Sequence, residues 1–242
     1  MRFLLSLALI FLTVPAAAQD IKTILDLPEG ATVISLSANE RVEIVQDLLV
    51  AHLRYQVEDA QPRTVQDEIN KKMKQALDEA KKVKTVKANT GQYNIHEYDP
   101  NRHKKLKERK KLWRGQQTLT IKGKSPDDLL ELAGKLQDLG LIMNGLQYTV
   151  SPELLEETRD NLLEAALTKL RKKAKRTAKA LGKSKAELKK VNVDNGGNYF
   201  PPPRFARSMA MIESADAKVA SPVAAPGESQ VTLKVSAQAL LR

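Results

Sequence analysis

The chain has 242 residues, 42% of them hydrophobic, no cysteine and a formal net charge of +11. Without a thiol it has no disulfide, no thiolate metal ligand and no cysteine nucleophile, so packing alone must hold its core. The charge is concentrated: 101–111 (NRHKKLKERKK) has seven Lys/Arg and one Glu, and 169–190 has eleven Lys/Arg and one Glu, a pattern that bears on partners rather than on fold.

The amino terminus, MRFLLSLALIFLTVPAAAQ, has the layout of a secretory leader. Arg2 gives a positive start, Phe3 to Val14 is apolar but too short to span a bilayer, and Ala16-Ala17-Ala18 offers small residues for a signal peptidase. Residues 1–18 are expected to be removed before Gln19, leaving a lead-in at 19–30 and one domain over 31–242. No other stretch is apolar enough to cross a membrane, so no transmembrane helix is expected after cleavage. From Ala31 apolar and polar residues alternate in two runs: Ile34, Leu36, Ala38, Val42 and Ile44, then Leu49, Ala51, Leu53, Tyr55 and Val57. Both read as strands with one wet face. Thr64-Val65-Gln66-Asp67 reads as a capped helix start. Val65, Ile69, Met73, Ala76, Leu77 and Ala80 then recur at helical spacing to about Val83.

Thr85 to Tyr98 and Leu112 to Lys122 alternate again, with the basic run 101–111 as a solvated connection between them. Two further helices open alike, at Ser125-Pro126-Asp127 and Ser151-Pro152-Glu153. Serine is placed at the cap, proline where its missing N–H is not needed, and an acid at the positive end. Gly140 and Gly182 mark their ends. Strands are expected over 141–150, 188–193 and 230–240, the last separated from its predecessor by a long Pro-rich loop at 196–228. The order is ββαββαβαββ, and the predicted class is α+β, with three helices packed on a largely antiparallel or mixed sheet.

These pieces, in this order, resemble the SIMPL-domain family. The similar segments are SANERVEIVQDLLVAHLRYQVED, WRGQQTLTIKGKSPDDLLELAGKLQDLG, MNGLQYTVSPE, the long helix ending AKRTAKALG, the loop after NVDNGGNYFPPP, and PGESQVTLKVSAQ, over about Ala31 to Leu241. The family groups mostly periplasmic or secreted bacterial proteins, including an oxidative-stress defence protein and a periplasmic immunogenic antigen. The resemblance implies an α+β domain and a periplasmic or secreted location, and it brings no catalytic residues. Trp113-Arg114-Gly115 and the very basic 101–111 run depart from the usual pattern.

No constellation in the sequence names a reaction. Gly123-Lys124-Ser125 stands between a strand and a helix as a phosphate loop would, but position 118 is Thr118 where a glycine is required, and Pro126 removes a backbone donor. His96, Glu97, Asp99 and His103 gather metal-ligand types around Pro100 without a diagnostic spacing; a polar loop is the simpler reading. His52 lies on a wet strand face, and no G-x-S-x-G elbow is present. No cofactor is therefore expected. On the long helix Leu155, Leu162, Ala166, Leu170, Ala174, Ala178 and Leu181 form the core stripe, leaving Lys172, Lys173, Arg176 and Lys179 as an anionic-surface contact or a merely solvated face. Nucleic acid is not expected, since no aromatics are interleaved with the lysines. In the Pro-rich loop Arg204, Arg207, Met209 and Met211 are candidates for contact, including self-association. Met73 and Met143 fall on apolar faces and are expected to be buried, too few thioethers remaining to scavenge oxidant. The expected function is that of an exported, non-enzymatic envelope protein with a binding or assembly role in envelope or oxidative-stress defence. A cationic adaptor for lipid headgroups or lipopolysaccharide is the alternative, and an unidentified enzyme the third reading.

Overall fold

The computed structural model describes residues 27–101, 111–194 and 224–242. Its elements follow the expected order: β1 (Thr32–Val45), β2 (Leu48–Asp59), α1 (Pro62–Lys82), β3 (Val86–Tyr98), β4 (Leu112–Gly123), α2 (Pro126–Asp138), β5 (Ile142–Thr149), α3 (Pro152–Ala180), β6 (Ala186–Asp194) and β7 (Glu228–Leu241). The fold is α+β. The strands lie in two sheets rather than one, β3-β4-β2-β5 and β1-β7-β6. The described residues divide into two compact units: 41–101, 111–162 and 224–232 form one, and 27–40, 163–194 and 233–242 the other.

In the first unit β2 runs antiparallel to both β4 and β5, with Leu53 opposite Leu119 and Ala51 opposite both Ile121 and Leu146. Strand alternation puts Leu49, Ala51, Leu53, Leu119 and Ile121 on one face. That face is buried with Met73, Ala76 and Ala80 of α1 and with Leu129, Leu132, Ala133 and Leu136 of α2. Gly115 of β4 lies where α1 comes closest, and a Cβ there would stand 2.4 Å from Val65 and 2.5 Å from Ile69. The opposite face of the same strands carries His52, Glu58, Arg114 and Thr120, in keeping with a wet side.

The start of α1 differs from expectation. Gln61 is the cap residue, makes no side-chain cap bond, and Pro62 opens the helix, so Thr64 lies inside the first turn. At α3 the expected serine cap is present and reinforced. Ser151 Oγ accepts from Leu154 N at 3.3 Å, while Asp47 accepts from Ser151 N and Ser151 Oγ, both at 2.7 Å. Lys124 reaches the same carboxylate at 2.8 Å. Met73 is buried as expected, but Met143 is only half-buried at the margin of the core, because it lies on β5 at the sheet edge.

In the second unit β6 pairs antiparallel with β7, from Ala186 opposite Leu241 to Asp194 opposite Lys234. Ala174 and Ala178 of α3 are buried with Ala239 and Leu241, flanked by Ile34, Leu36, Ala186 and Leu188. Small side chains on the helix allow this close approach to the sheet. Leu181 is 50% exposed and does not continue the stripe, because the helix ends at Ala180 and the chain reverses through Gly182 at φ +68°.

Candidate functional site

Helical periodicity sorts the second half of α3 into a buried stripe and a cationic remainder. Leu162, Ala166, Leu170, Ala174 and Ala178 recur every four residues and are buried, so everything on the opposite side must face solvent. That side carries Lys172, Lys175, Arg176 and Lys179, all exposed and without a hydrogen bond or ion pair among the described residues. Lys173, expected with them, is engaged at home: its ammonium donates to Ser37 O at 2.7 Å. Lys169 is likewise paired, with Glu40 at 2.7 Å. These two lie on the flank nearest β1 and tie the helix to that strand. Of the sequence-predicted quartet, the structure leaves Lys172, Arg176 and Lys179 open and withdraws Lys173.

Beyond the helix end the cationic character continues into a concavity. The chain turns at Gly182, and Lys183 and Lys185 follow before β6 begins. β7 returns to this point, where Arg242 N donates to Lys185 O at 3.0 Å and the Arg242 main-chain oxygen accepts from Ser184 N at 2.7 Å and Lys185 N at 2.8 Å. The result is an open groove of about 760 Å³ lined by Lys175, Lys179, Lys183, Lys185 and Arg242, with Ser184 and the apolar side chains of Ala178, Ala186 and Leu240 among them. Glu187 is the one acidic side chain in its lining, and it is already paired with Lys189 at 2.8 Å and Arg242 at 3.2 Å. Those two cations, Lys189 first, hold its carboxyl below the usual range. The basic run in the sequence signals Lys183 and Lys185. Nothing in it signals Arg242, which reaches the groove only through the pairing of β6 with β7.

In the other unit a polar cluster lies on the wet face of the four-stranded sheet. Register places Glu58 opposite Arg114 and Arg114 opposite His96. Arg114 Nε donates to Glu58 at 2.6 Å, its guanidinium lies 4.0 Å over the Tyr98 ring, and Tyr98 Oη donates to the second Glu58 oxygen. The Tyr98 bond, with Arg114 behind it, keeps Glu58 below the ordinary carboxylate range, and the same bond to Glu58 raises the Tyr98 phenol. The three groups satisfy one another across β2, β3 and β4, which makes the cluster a clasp rather than a poised reagent.

The remaining sequence candidates separate cleanly. Lys124 of the Gly123-Lys124-Ser125 turn points to Asp47, with Glu153 at 3.9 Å, so its charge serves the α3 cap and not a phosphate. His52 is exposed and its Nδ1 is 3.1 Å from Thr120 Oγ1. Asp99 accepts from Asn101 N at 2.8 Å in a local turn. Among the described residues no three His, Asp or Glu side chains are grouped to hold a metal ion. His103, and the loop candidates Arg204, Arg207, Met209 and Met211, lie outside the described residues. Also among the described residues, no helix is long and apolar enough to cross a membrane.

No curated protein matches the chain. Among solved structures the chain is similar to a de novo designed protein, Foldit4, at 13% identity, covering 43% of this chain and 98% of that one with a TM-score of 0.25. The family model for SIMPL, described as a protein of unknown function (DUF541), matches residues 34–239. That span runs from β1 into β7 and takes in every helix and strand between them, so the chain belongs to the SIMPL family.

Proposed function

We propose that this SIMPL-family chain is an exported envelope protein that acts by binding rather than by catalysis, and that it attaches to anionic envelope surfaces through the solvent side of α3. The observation that carries this reading is the set of exposed cations Lys172, Lys175, Arg176 and Lys179, none matched by an acid among the described residues. Each basic residue close to an anionic membrane surface adds about 1 kcal/mol, and the attraction fades within a Debye length. Four such residues on one helix side therefore suffice for adsorption that salt can reverse. The leader sequence supports export, and a purified periplasmic product should have an intact mass that begins at Gln19.

The test is vesicle co-sedimentation. Vesicles containing phosphatidylglycerol should retain the protein at low salt and release it as salt rises, whereas neutral vesicles should not retain it. Lys172→Gln with Arg176→Gln should weaken retention several-fold without changing the melting temperature, because neither side chain touches the buried stripe. Equal retention of variant and parent would overturn this reading.

A second reading, assembly, is favoured by the edges of the three-stranded sheet. β6 is an outer strand with Val191 and Val193 exposed, and Val33, Val42 and Val45 are exposed on β1, the other outer strand. Unpaired strand edges with apolar side chains are templates for pairing with another chain. Assembly of that kind would persist at high salt, which separates it from adsorption.

A further inference from the structure

The groove at the carboxyl-terminal end of α3 has properties that a merely solvated face does not need. It is concave, and at about 760 Å³ it falls in the size range of small-molecule sites. Its cations come from three separate places in the chain: Lys175 and Lys179 from α3, Lys183 and Lys185 from the turn, and Arg242 from the end of β7. Sequence proximity alone would bring together the first four, but only the fold brings the fifth. Folding thus gathers like charges, which works against stability unless an anion is there to meet them.

The usual reason for lysines at such a place is also met by other groups. Cations are favoured at a helix carboxyl terminus because the last carbonyls lack partners. Here Thr177 O and Ala178 O both accept from Leu181 N at 3.1 Å, Lys179 O accepts from Gly182 N at 3.1 Å, and Ala178 O accepts also from Lys183 N at 2.8 Å. The turn therefore caps the helix with its own backbone, leaving the ammonium groups of Lys175 and Lys179 for other work. Lys183 rests its ammonium on Gly30 O, which fixes it at the rim rather than neutralising it. Lys185 has no side-chain partner among the described residues. Arg242 contacts Glu187 from one guanidinium nitrogen, so other donors of its fork stay available.

We infer that this groove is a binding site for an anion carrying two or more phosphate groups. A groove of about 760 Å³ lined by five cations offers more room and more positive charge than a single phosphate dianion takes up. Ammonium groups act as point charges, and a guanidinium fork can grip one phosphate through two oxygens. Ser184 adds a hydroxyl that can donate to a phosphate oxygen. Soluble polyphosphate and a bis-phosphorylated lipid headgroup present the same chemistry. This inference deepens the surface-binding reading above and rests on it only for the source of the ligand.

The test uses the full mature chain and inorganic tripolyphosphate as the probe, followed by calorimetry at low salt. Wild-type protein should give one saturable site. Lys183→Gln with Lys185→Gln and Arg242→Gln should weaken it at least tenfold. Lys175→Gln with Lys179→Gln, which alters only exposed helix positions, should weaken it several-fold and guards against a folding defect in the first variant. Lys172→Gln with Arg176→Gln, outside the groove, should leave tripolyphosphate binding within about twofold of the parent while weakening vesicle retention; Lys175 and Lys179 belong to both surfaces, so the Lys172 and Arg176 pair is the one that separates adsorption from the groove. Vesicles bearing a bis-phosphorylated sugar lipid that bind better than phosphatidylglycerol vesicles of equal charge, with the margin lost in the groove variants, would identify the lipid source; binding of the soluble probe alone would identify a free phosphate. Absence of saturable binding would overturn the inference, as would a loss that follows the number of charges removed regardless of position.

Discussion

Asp47 shows how much one side chain does in this fold. It receives the backbone N–H and the hydroxyl of Ser151 and the ammonium of Lys124, so one carboxylate joins the β1–β2 turn, the end of β4 and the start of α3. Partial burial pushes its pKa up, but the bonds from Lys124 and Ser151 outweigh this and the net shift is downward. A carboxylate whose folded pKa lies below its unfolded value stabilises above the unfolded pKa and loses that contribution as pH falls through the folded one. Asp47→Ala should therefore cost about 2 kcal/mol at neutral pH, because it leaves the buried Ser151 hydroxyl without its acceptor. The gap between wild type and variant should narrow as the pH is lowered below about 4, where the ionised form is lost, as read from denaturant unfolding at a series of pH values. Gly115 makes a different demand. Gly115→Ala places a methyl within 2.5 Å of both Val65 and Ile69, and the resulting overpacking should cost about 1–3 kcal/mol, visible as a lower urea midpoint with an unchanged slope.

Among the elements, α3 was the most legible in the sequence. Its start follows from Ser151-Pro152-Glu153, its end from Gly182, and its buried side from the four-residue recurrence of Leu162, Ala166, Leu170, Ala174 and Ala178. Extending that stripe to Leu181 failed because periodicity carries no information about where the backbone leaves the helix. The start of α1 misled for a related reason: Thr64 looks like a cap, yet Pro62 is compatible with the first turn and the helix begins there. The close packing of α3 on β7 can be tested directly. Ala174→Leu would insert three heavy atoms among Ala178, Ala239 and Leu241 and should destabilise by about 1–3 kcal/mol. Leu170→Ala, which empties a fully buried position, should cost about 2–5 kcal/mol. Substitutions on the exposed side of the same helix, such as Lys172→Gln, should stay within about 0.5 kcal/mol.

At the scale of the molecule, alternation along each strand disclosed which residues turn inward but not which strand lies beside which. That is why the α+β class and the order of elements were legible, whereas the division into β3-β4-β2-β5 and β1-β7-β6 was not. The candidate site followed the same rule. Local spacing identified Lys172, Arg176 and Lys179 as outward, while the loss of Lys173 to Ser37 O and the arrival of Arg242 beside Lys185 both depend on residues far away in the sequence. The two readings of function make opposite forecasts for the whole particle. If the outer strands pair, the purified mature chain should elute larger than a monomer in both 50 mM and 500 mM salt. If only the charged surfaces act, it should elute as a monomer at both, with salt altering nothing but its retention on anionic vesicles.

The division into two units has an optical consequence. Trp113 is the single tryptophan, and it falls in the unit built on the four-stranded sheet together with Tyr55, Tyr93, Tyr98 and Tyr148. Among the described residues the other unit has neither tryptophan nor tyrosine. It is dark to intrinsic fluorescence and contributes to far-ultraviolet circular dichroism through its peptide bonds alone. Unfolding followed by the two signals will coincide if the units melt as one cooperative body and will part if they do not. For the same reason an anion settling among Lys183, Lys185 and Arg242 meets no tryptophan or tyrosine of its own unit among the described residues, so heat or a labelled probe reads occupancy more directly than intrinsic emission does.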